Sequence, residues 1–313
     1  MNPRRRLSGG GRGDTVFKAL LFLAASTIPA LLIALVIELT RGARQAIDRF
    51  GAGFIFGSGW DPVAGTFGAW PAVFGTLLTS ALALLLAVPL ALGVAIYLTE
   101  FAPMRIRRPV ATMIELLAAI PSVVYGLWGI FVMIPFLRTW VYPVLEARLG
   151  FLPFFAGPVY GPSVLSASLI LTVMIIPFIM SVSREVLLAV PPGQREAALA
   201  LGATRWEAVS TVIVPYAKSG ILGAVILGLG RALGETMAVT MLIGNRHEIA
   251  ASLFAPGYSM AAVIANEFAD AAGGPLHESA LIYLALILFG VTVIVNGAAR
   301  LMIWRVARRG GAT

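Results

Sequence analysis

Residues 72–99 read AVFGTLLTSALALLLAVPLALGVAIYLT, one apolar block. About 20 residues of helix cross a bilayer, so this block is long enough to span one. It is rich in Leu and Ala and lacks the period-two alternation of a barrel strand. In hydrocarbon every N–H and C=O must be satisfied within the segment or by a neighbour, which a helix achieves. Five further blocks have the same character, at about 17–40, 110–136, 163–184, 218–244 and 279–303. The fold class that follows is all-α, a polytopic membrane bundle of about six transmembrane helices.

Composition agrees. Among 313 residues, 59% are hydrophobic and 12% charged, with a mean hydropathy of +0.90. A soluble globule carries about 25% charged residues, and so few charges would leave its surface uncovered. The net charge of +8 reports topology rather than a nucleic-acid partner. With the N-terminus placed in the cytoplasm, sixteen Lys and Arg fall on the cytoplasmic side, Arg4, Arg5, Arg6, Arg105, Arg107 and Arg108 among them. Six fall opposite, and Arg231 remains inside a span. The positive-inside rule then puts both ends in the cytoplasm. Residues 1–16 form a cytoplasmic tail, and 17–313 the membrane domain. The first apolar run, Phe17 to Leu39, exceeds the 7–15 residues of a typical signal core and reads as a retained helix.

The chain has no cysteine. His247 and His277 lack metal-ligand spacing and read as solvated loop residues. No cofactor and no metal are expected. The outer loop at about 41–70 concentrates Phe50, Phe54, Phe56, Trp60, Phe67 and Trp70. This density suits either the membrane interface or a docking surface. A short helix is expected over Met260–Asp270. Pro89 and Pro121 interrupt the second and third spans, each removing one hydrogen bond from the ladder.

The fifth span is the most informative. Gly220, Ala224, Gly228 and Ala232 form one row at four-residue spacing, and Gly230, Gly234 and Ala238 another. Small residues let helices approach closely in membranes, so this helix sits centrally. Within it stand Arg231 and Glu235, on one face of a continuous helix. A charge at mid-membrane costs about 2.5–3.5 kcal/mol on insertion scales, and is tolerated when it pairs or reaches water. The guanidinium fork suits oxyanions, and Glu235 can neutralise it at rest. The pair reads as an anion site on a translocation path, or as a structural ion pair locking the helices. Glu115 is placed to pair with Arg107 or Arg108, and Glu38 to reach the interface.

Between the fourth and fifth spans, residues 185–217 are polar. Pro191 and Pro192 stop the preceding helix, and Gln194 to Leu201 are helix formers. Gly202 stands at the C′ position, and Thr204 with Glu207 spells a capping box. Two short helices hinged at a glycine make a compact knob. The string Gly228-Leu-Gly230-Arg-Ala-Leu-Gly234 has the wrong spacing for a dinucleotide fingerprint, and no GxxxxGK[ST] occurs. Any ATP hydrolysis belongs to another polypeptide.

Glu196-Ala197-Ala198, then Gly202, then Val212-x-Val214-Pro215 resembles the EAA motif of ABC-importer permeases, with two valines where Ile and Leu are usual. The string Gly228-Leu-Gly-Arg231-Ala-Leu-Gly-Glu235-Thr-Met-Ala-Val resembles the phosphate-specific permeases. Leu116 to Gly129, Trp60-Asp-Pro62 and Ser252 to Tyr258 resemble their C-type subunit. The resemblance implies a type I importer fold in the bacterial inner membrane. It implies a heterodimer with an A-type permease, a cytoplasmic ATPase dimer gripping the Glu196–Gly202 knob, and a periplasmic phosphate-binding protein at the outer loops. Inorganic phosphate then passes Arg231 and Glu235 by alternating access. The alternatives are an ABC permease for sulfate or molybdate, an ATP-independent anion transporter, and a membrane scaffold without a pore.

Overall fold

A computed structural model of the chain describes residues 12–310. Arg4, Arg5 and Arg6 of the expected tail lie outside the described residues. The main helices are α1 (Gly13–Gly42), α2 (Trp70–Phe101), α3 (Met104–Ala118), α4 (Ser122–Leu149), α5 (Val164–Leu188), α6 (Pro192–Ala200), α7 (Arg205–Leu233), α8 (Met237–Leu242), α9 (Met260–Glu267) and α10 (Pro275–Trp304). Of these, α1, α2, α4, α5, α7 and α10 are long and apolar enough to cross a membrane.

Two of them differ from the apolar blocks of the sequence. The block at 110–136 is cut after Ala119, and Pro121 becomes the residue preceding α4. Proline has no N–H to donate and disfavours helix at the residue before it. The upstream piece, α3, is a 15-residue amphipathic helix, too short to span alone. The fifth spanning helix starts at Arg205 and ends at Leu233. Gly234, Glu235 and Thr236 interrupt it before α8.

Pro89 interrupts nothing, because α2 stays helical through it. Other prolines leave a different mark. Wide helical turns at Tyr97–Phe101, Gly129–Met133, Leu137–Val141 and Val209–Ile213 are followed by Pro103, Pro135, Pro143 and Pro215. A proline leaves the carbonyl four residues earlier without its donor. A wide turn hands that carbonyl to the next residue along, which is how such a break is tolerated inside a bilayer.

The centre is α5, with most of its apolar stretch buried. Ala83, Ala87, Ala91 and Ala95 run down one side of α2, all fully buried, in the same core as Leu171, Ile175 and Ile179 of α5. This alanine row is visible in the sequence at four-residue spacing, but only its packing separates it from the many other alanines. On the other side α7 lies close. A Cβ added to Gly228 would meet Ile179 at 2.7 Å, and one added to Gly220 would collide with Val186. The row expected to bring α7 into the centre is therefore in contact with α5. The first N–H groups of α5, which no helix can satisfy internally, go to the carbonyls of Leu242, Leu253 and Ala255. By contrast, α1 buries nothing in its apolar stretch and packs along α10, with Gly42 against Ile282.

At the end of the bundle opposite the knob, the loops fold into a small core of their own. Phe54 and Phe67 are buried with Tyr258, Met260, Leu281 and Leu284. Phe54 stacks on Tyr283 with centroids 4.6 Å apart. The aromatic loop thus turns largely inward, although Phe56 stays 72% exposed. Trp60–Asp61 pairs with Thr66–Phe67 as a tiny antiparallel hairpin.

His247 and His277 are not the solvated loop residues that their spacing implies. Both rings are largely buried and converge on Glu267, His247 Nε2 at 3.2 Å from Oε1 and His277 Nε2 at 3.0 Å from Oε2. Trp60 Nε1 donates to Oε2 at 2.7 Å. Burial pushes the Glu267 carboxyl up, but the hydrogen bonds from His247, Trp60 and His277 prevail and hold it below its usual range. The cluster fastens the loop before α2, α9 and the start of α10 together. Glu38 lies 3.9 Å from Arg41 on the exposed surface. Glu115 is exposed and has no ion pair among the described residues, so its expected partnership with Arg107 or Arg108 is not formed.

Two outcomes follow. Gly228→Val overpacks the α5–α7 contact and should destabilise the protein by about 1–3 kcal/mol, seen as a lower thermal midpoint in detergent. Gly223→Ala, where an added Cβ meets nothing within 4 Å, should leave it unchanged. Glu267→Gln should cost about 1–2 kcal/mol at neutral pH. Because the folded-state pKa of Glu267 is lowered, its contribution is present above the unfolded value of about 4.3. The gap between wild type and variant should close as pH falls through the lower folded value.

Candidate functional site

Two regions of the chain gather the residues singled out by sequence. The first surrounds Arg231, in the last turn of α7. Helix α7 stops two residues later, so Glu235 does not sit one turn above Arg231 on a common face. Its carboxylate turns instead to the start of α8, where Oε1 accepts from the Ala238 N–H at 3.2 Å. An acidic side chain at a helix N-terminus satisfies an orphan donor and meets the positive end of the dipole. The expected Arg231–Glu235 ion pair is therefore absent. Among the described residues the Arg231 side chain forms no ion pair or hydrogen bond, and the residue is exposed on this single chain.

A second break lies beside it. Tyr125, in the first turn of α4, donates its hydroxyl to the Leu117 carbonyl at 2.7 Å, closing the gap between α3 and α4. Arg231 is close enough to act electrostatically on this tyrosine. Helices α4 and α8 pack tightly: Cβ atoms added at Gly126 and Gly129 would strike Met241 and Leu242. Thus the breaks at Ala119–Pro121 and Gly234–Thr236 come together around one uncompensated guanidinium. Interrupted backbone at membrane depth is tolerated where it is buried in protein or lines a water-filled cavity. An unpaired arginine is tolerated where water or an anion reaches it. Sequence reasoning placed Arg231 but did not connect it to Tyr125. The Ile120-Pro121 step was the available signal for a break there.

The second region is the knob. Helix α6 ends as its sequence requires: Ala203 N–H bonds to the Ala198 carbonyl and Gly202 N–H to that of Leu199. Gly202 takes φ +89°, where a side chain would be strained. Thr204 and Glu207 form both halves of the capping box. No residue of α6 is buried; Glu196 and Ala197 are exposed and Ala198 partly so. Leu201, 89% exposed, and Trp206 add apolar surface to the same knob. The second knob helix is not separate. It is the first turn of α7, which runs on to Arg231, about 40 Å away at 1.5 Å per residue.

Comparison with known proteins agrees with this architecture. Residues 87–308 match the family of binding-protein-dependent transport system inner membrane components. A phosphate transport system permease protein PstC from Mesorhizobium japonicum is 46% identical, covering 96% of this chain and 92% of its own length. One from Haemophilus influenzae is 47% identical, covering 95% of each. Among solved structures, a bacterial alginate ABC transporter in complex with its periplasmic protein aligns over 92% of this chain and 97% of that one, with a TM-score of 0.58 at 19% identity. An inward-facing MetNI methionine ABC transporter aligns over 76% and 96%, with a TM-score of 0.53 at 19% identity. At such identities the two structures speak for the fold alone. The chain belongs to the binding-protein-dependent transport system inner membrane components, the multi-pass permease subunits of ABC importers in the bacterial inner membrane.

Proposed function

We propose that this chain is the C-type permease subunit of an ATP-driven phosphate importer, forming half of the translocation path. The observation that carries the reading is its 46–47% identity, over nearly its whole length, to two permeases named for phosphate transport. The physical site supports it. Arg231 presents a planar fork of donors suited to phosphate oxygens, and with Glu235 engaged at α8 no carboxylate must be displaced before an anion arrives. Glu235 then acts by holding the broken helix in place rather than by neutralising the arginine.

Both termini face the cytoplasm, by the distribution of Lys and Arg. The exposed α6 surface with Glu196, Ala197, Ala198 and Gly202 docks a separate ATPase dimer, and the outer loops receive a periplasmic phosphate-binding protein. An A-type permease completes the path as a heterodimer. The bare apolar surface of α1 and the exposed Arg231 both fit a chain that works beside a second one. ATP-driven movement of the knob is carried along α7 to Arg231. The closest rival is a permease for another oxyanion, since a guanidinium fork does not by itself distinguish tetrahedral anions.

Arg231→Gln should reduce phosphate uptake by vesicles containing all subunits about a hundredfold, the loss of two charge-assisted hydrogen bonds, while the complex still assembles. Uptake at the wild-type rate would refute the role. In the wild type, arsenate should compete and sulfate and molybdate should not; strong competition by sulfate would favour the rival. Gly202→Val forces a side chain into a conformation costing about 1–3 kcal/mol. It should lower retention of the ATPase on the purified permease, whereas Gly223→Ala should retain it.

A further inference from the structure

Beneath the knob, and apart from the path at Arg231, lies a cavity of about 590 Å³ that none of the roles above uses. It is bounded by the end of α2 and the start of α3 on one side and by α6 and the first turns of α7 on the other. Arg107, Arg195 and Arg205 line it, together with Glu100. Its volume falls within the roughly 300–1,000 Å³ of small-molecule sites.

The charges do not balance. Glu100, its side chain only 8% exposed, takes Arg195 Nη2 on Oε1 at 2.6 Å. Arg107 reaches only the Ala102 carbonyl, at 3.4 Å, and Arg205 has no ion pair or hydrogen bond through its side chain among the described residues. The Nε atoms of both Arg107 and Arg195 are buried without a partner. A buried donor left without a partner is costly, because its hydration is lost and not replaced. Three guanidiniums facing one carboxylate leave two positive charges over. They line the cavity from separate elements: Arg107 from α3, Arg195 from α6 and Arg205 from α7. A carboxylate brings one charge and two oxygens. A phosphate group offers three or more oxygens in a tetrahedron and carries about −1.5 to −2 charges as a monoester at pH 7, so it can accept from several forks at once.

We propose that this cavity is a second, phosphate-group binding site on the knob side of the permease, distinct from the translocation path. Arg195 and Leu199, one turn apart, turn the inner face of α6 toward it, while Glu196 and Ala197 remain exposed for the ATPase. A bound phosphate group bridges α3, α6 and the start of α7, tying the coupling helix to the membrane bundle. Inorganic phosphate and the headgroup of an anionic phospholipid share this chemistry.

The test uses the full chain carrying Arg231→Gln, so that the path contributes nothing and the outcome is independent of the transport reading. In non-ionic detergent, equilibrium binding of radiolabelled inorganic phosphate is measured. In phosphatidylcholine nanodiscs doped with phosphatidylglycerol, native mass spectrometry counts the retained anionic lipid. Adding Arg107→Gln or the exposed Arg205→Gln should weaken one of these at least about tenfold, and Arg107→Lys should restore only part of it, having charge without a fork. Loss of inorganic phosphate binding assigns the soluble ligand, and loss of phosphatidylglycerol alone assigns the headgroup. Arg205→Gln lies on the surface and keeps the result readable if Arg107→Gln fails to fold. Neither probe binding, or both binding equally to every variant, overturns the proposal, as does a result in which the variants lose only the ATPase.

Discussion

Hydrocarbon supplies no hydrogen-bonding partner to a peptide group, and the course of this chain is organised around that shortage. Some prolines, such as Pro89, leave their helix unbroken; at others the helix widens by one residue, as before Pro135, Pro143 and Pro215, or stops and is closed by a side chain. Tyr125 closes the break at Pro121, and Glu235 closes the one at Gly234. The start of α5 is closed by carbonyls from the loop at 253–255. Backbone irregularity is therefore concentrated where a polar group is at hand, and the densest such place is beside Arg231.

The same logic makes α7 a lever. Its glycines leave room for α5 side chains, Ile179 at Gly228 and Val186 at Gly220, so the two helices lie in close contact. Its first turn belongs to the knob and its last turn carries Arg231. A push on the knob reaches the arginine through one continuous hydrogen-bonded rod, with only the wide turn at Val209–Ile213 to bend. No loop intervenes to absorb the movement. That continuity supports the proposed coupling between an ATPase at the knob and the site at Arg231.

Charge is used differently at the two ends. At the end opposite the knob, one carboxylate, Glu267, gathers two imidazoles and an indole and is fully engaged, which suits a fastening. On the knob side, arginines outnumber the carboxylate they face, and donors are left over. An engaged cluster holds a shape; an unbalanced one awaits a ligand. The contrast separates the structural charges of this chain from those available for binding.

The amino-acid order alone determined whatever depends on near neighbours. The apolar blocks, a short helix beginning at Met260 (expected to Asp270, ending at Glu267), the Gly202 terminus and the Thr204–Glu207 capping box all rest on interactions spanning a few residues, and each is legible as a string. The small-residue row on α7 was legible too, because four-residue spacing defines a helix face. Tertiary structure alone decided the rest. Trp60 and Glu267 are 207 positions apart, so nothing local distinguishes the two histidines they meet from solvated ones. Arg231 and Glu235 share a face only while the helix continues, and whether Gly234 ends it depends on α8 finding its place against α4. The pairing of Glu100 with Arg195, 95 residues on, likewise exists only once α6 has folded back beneath α2.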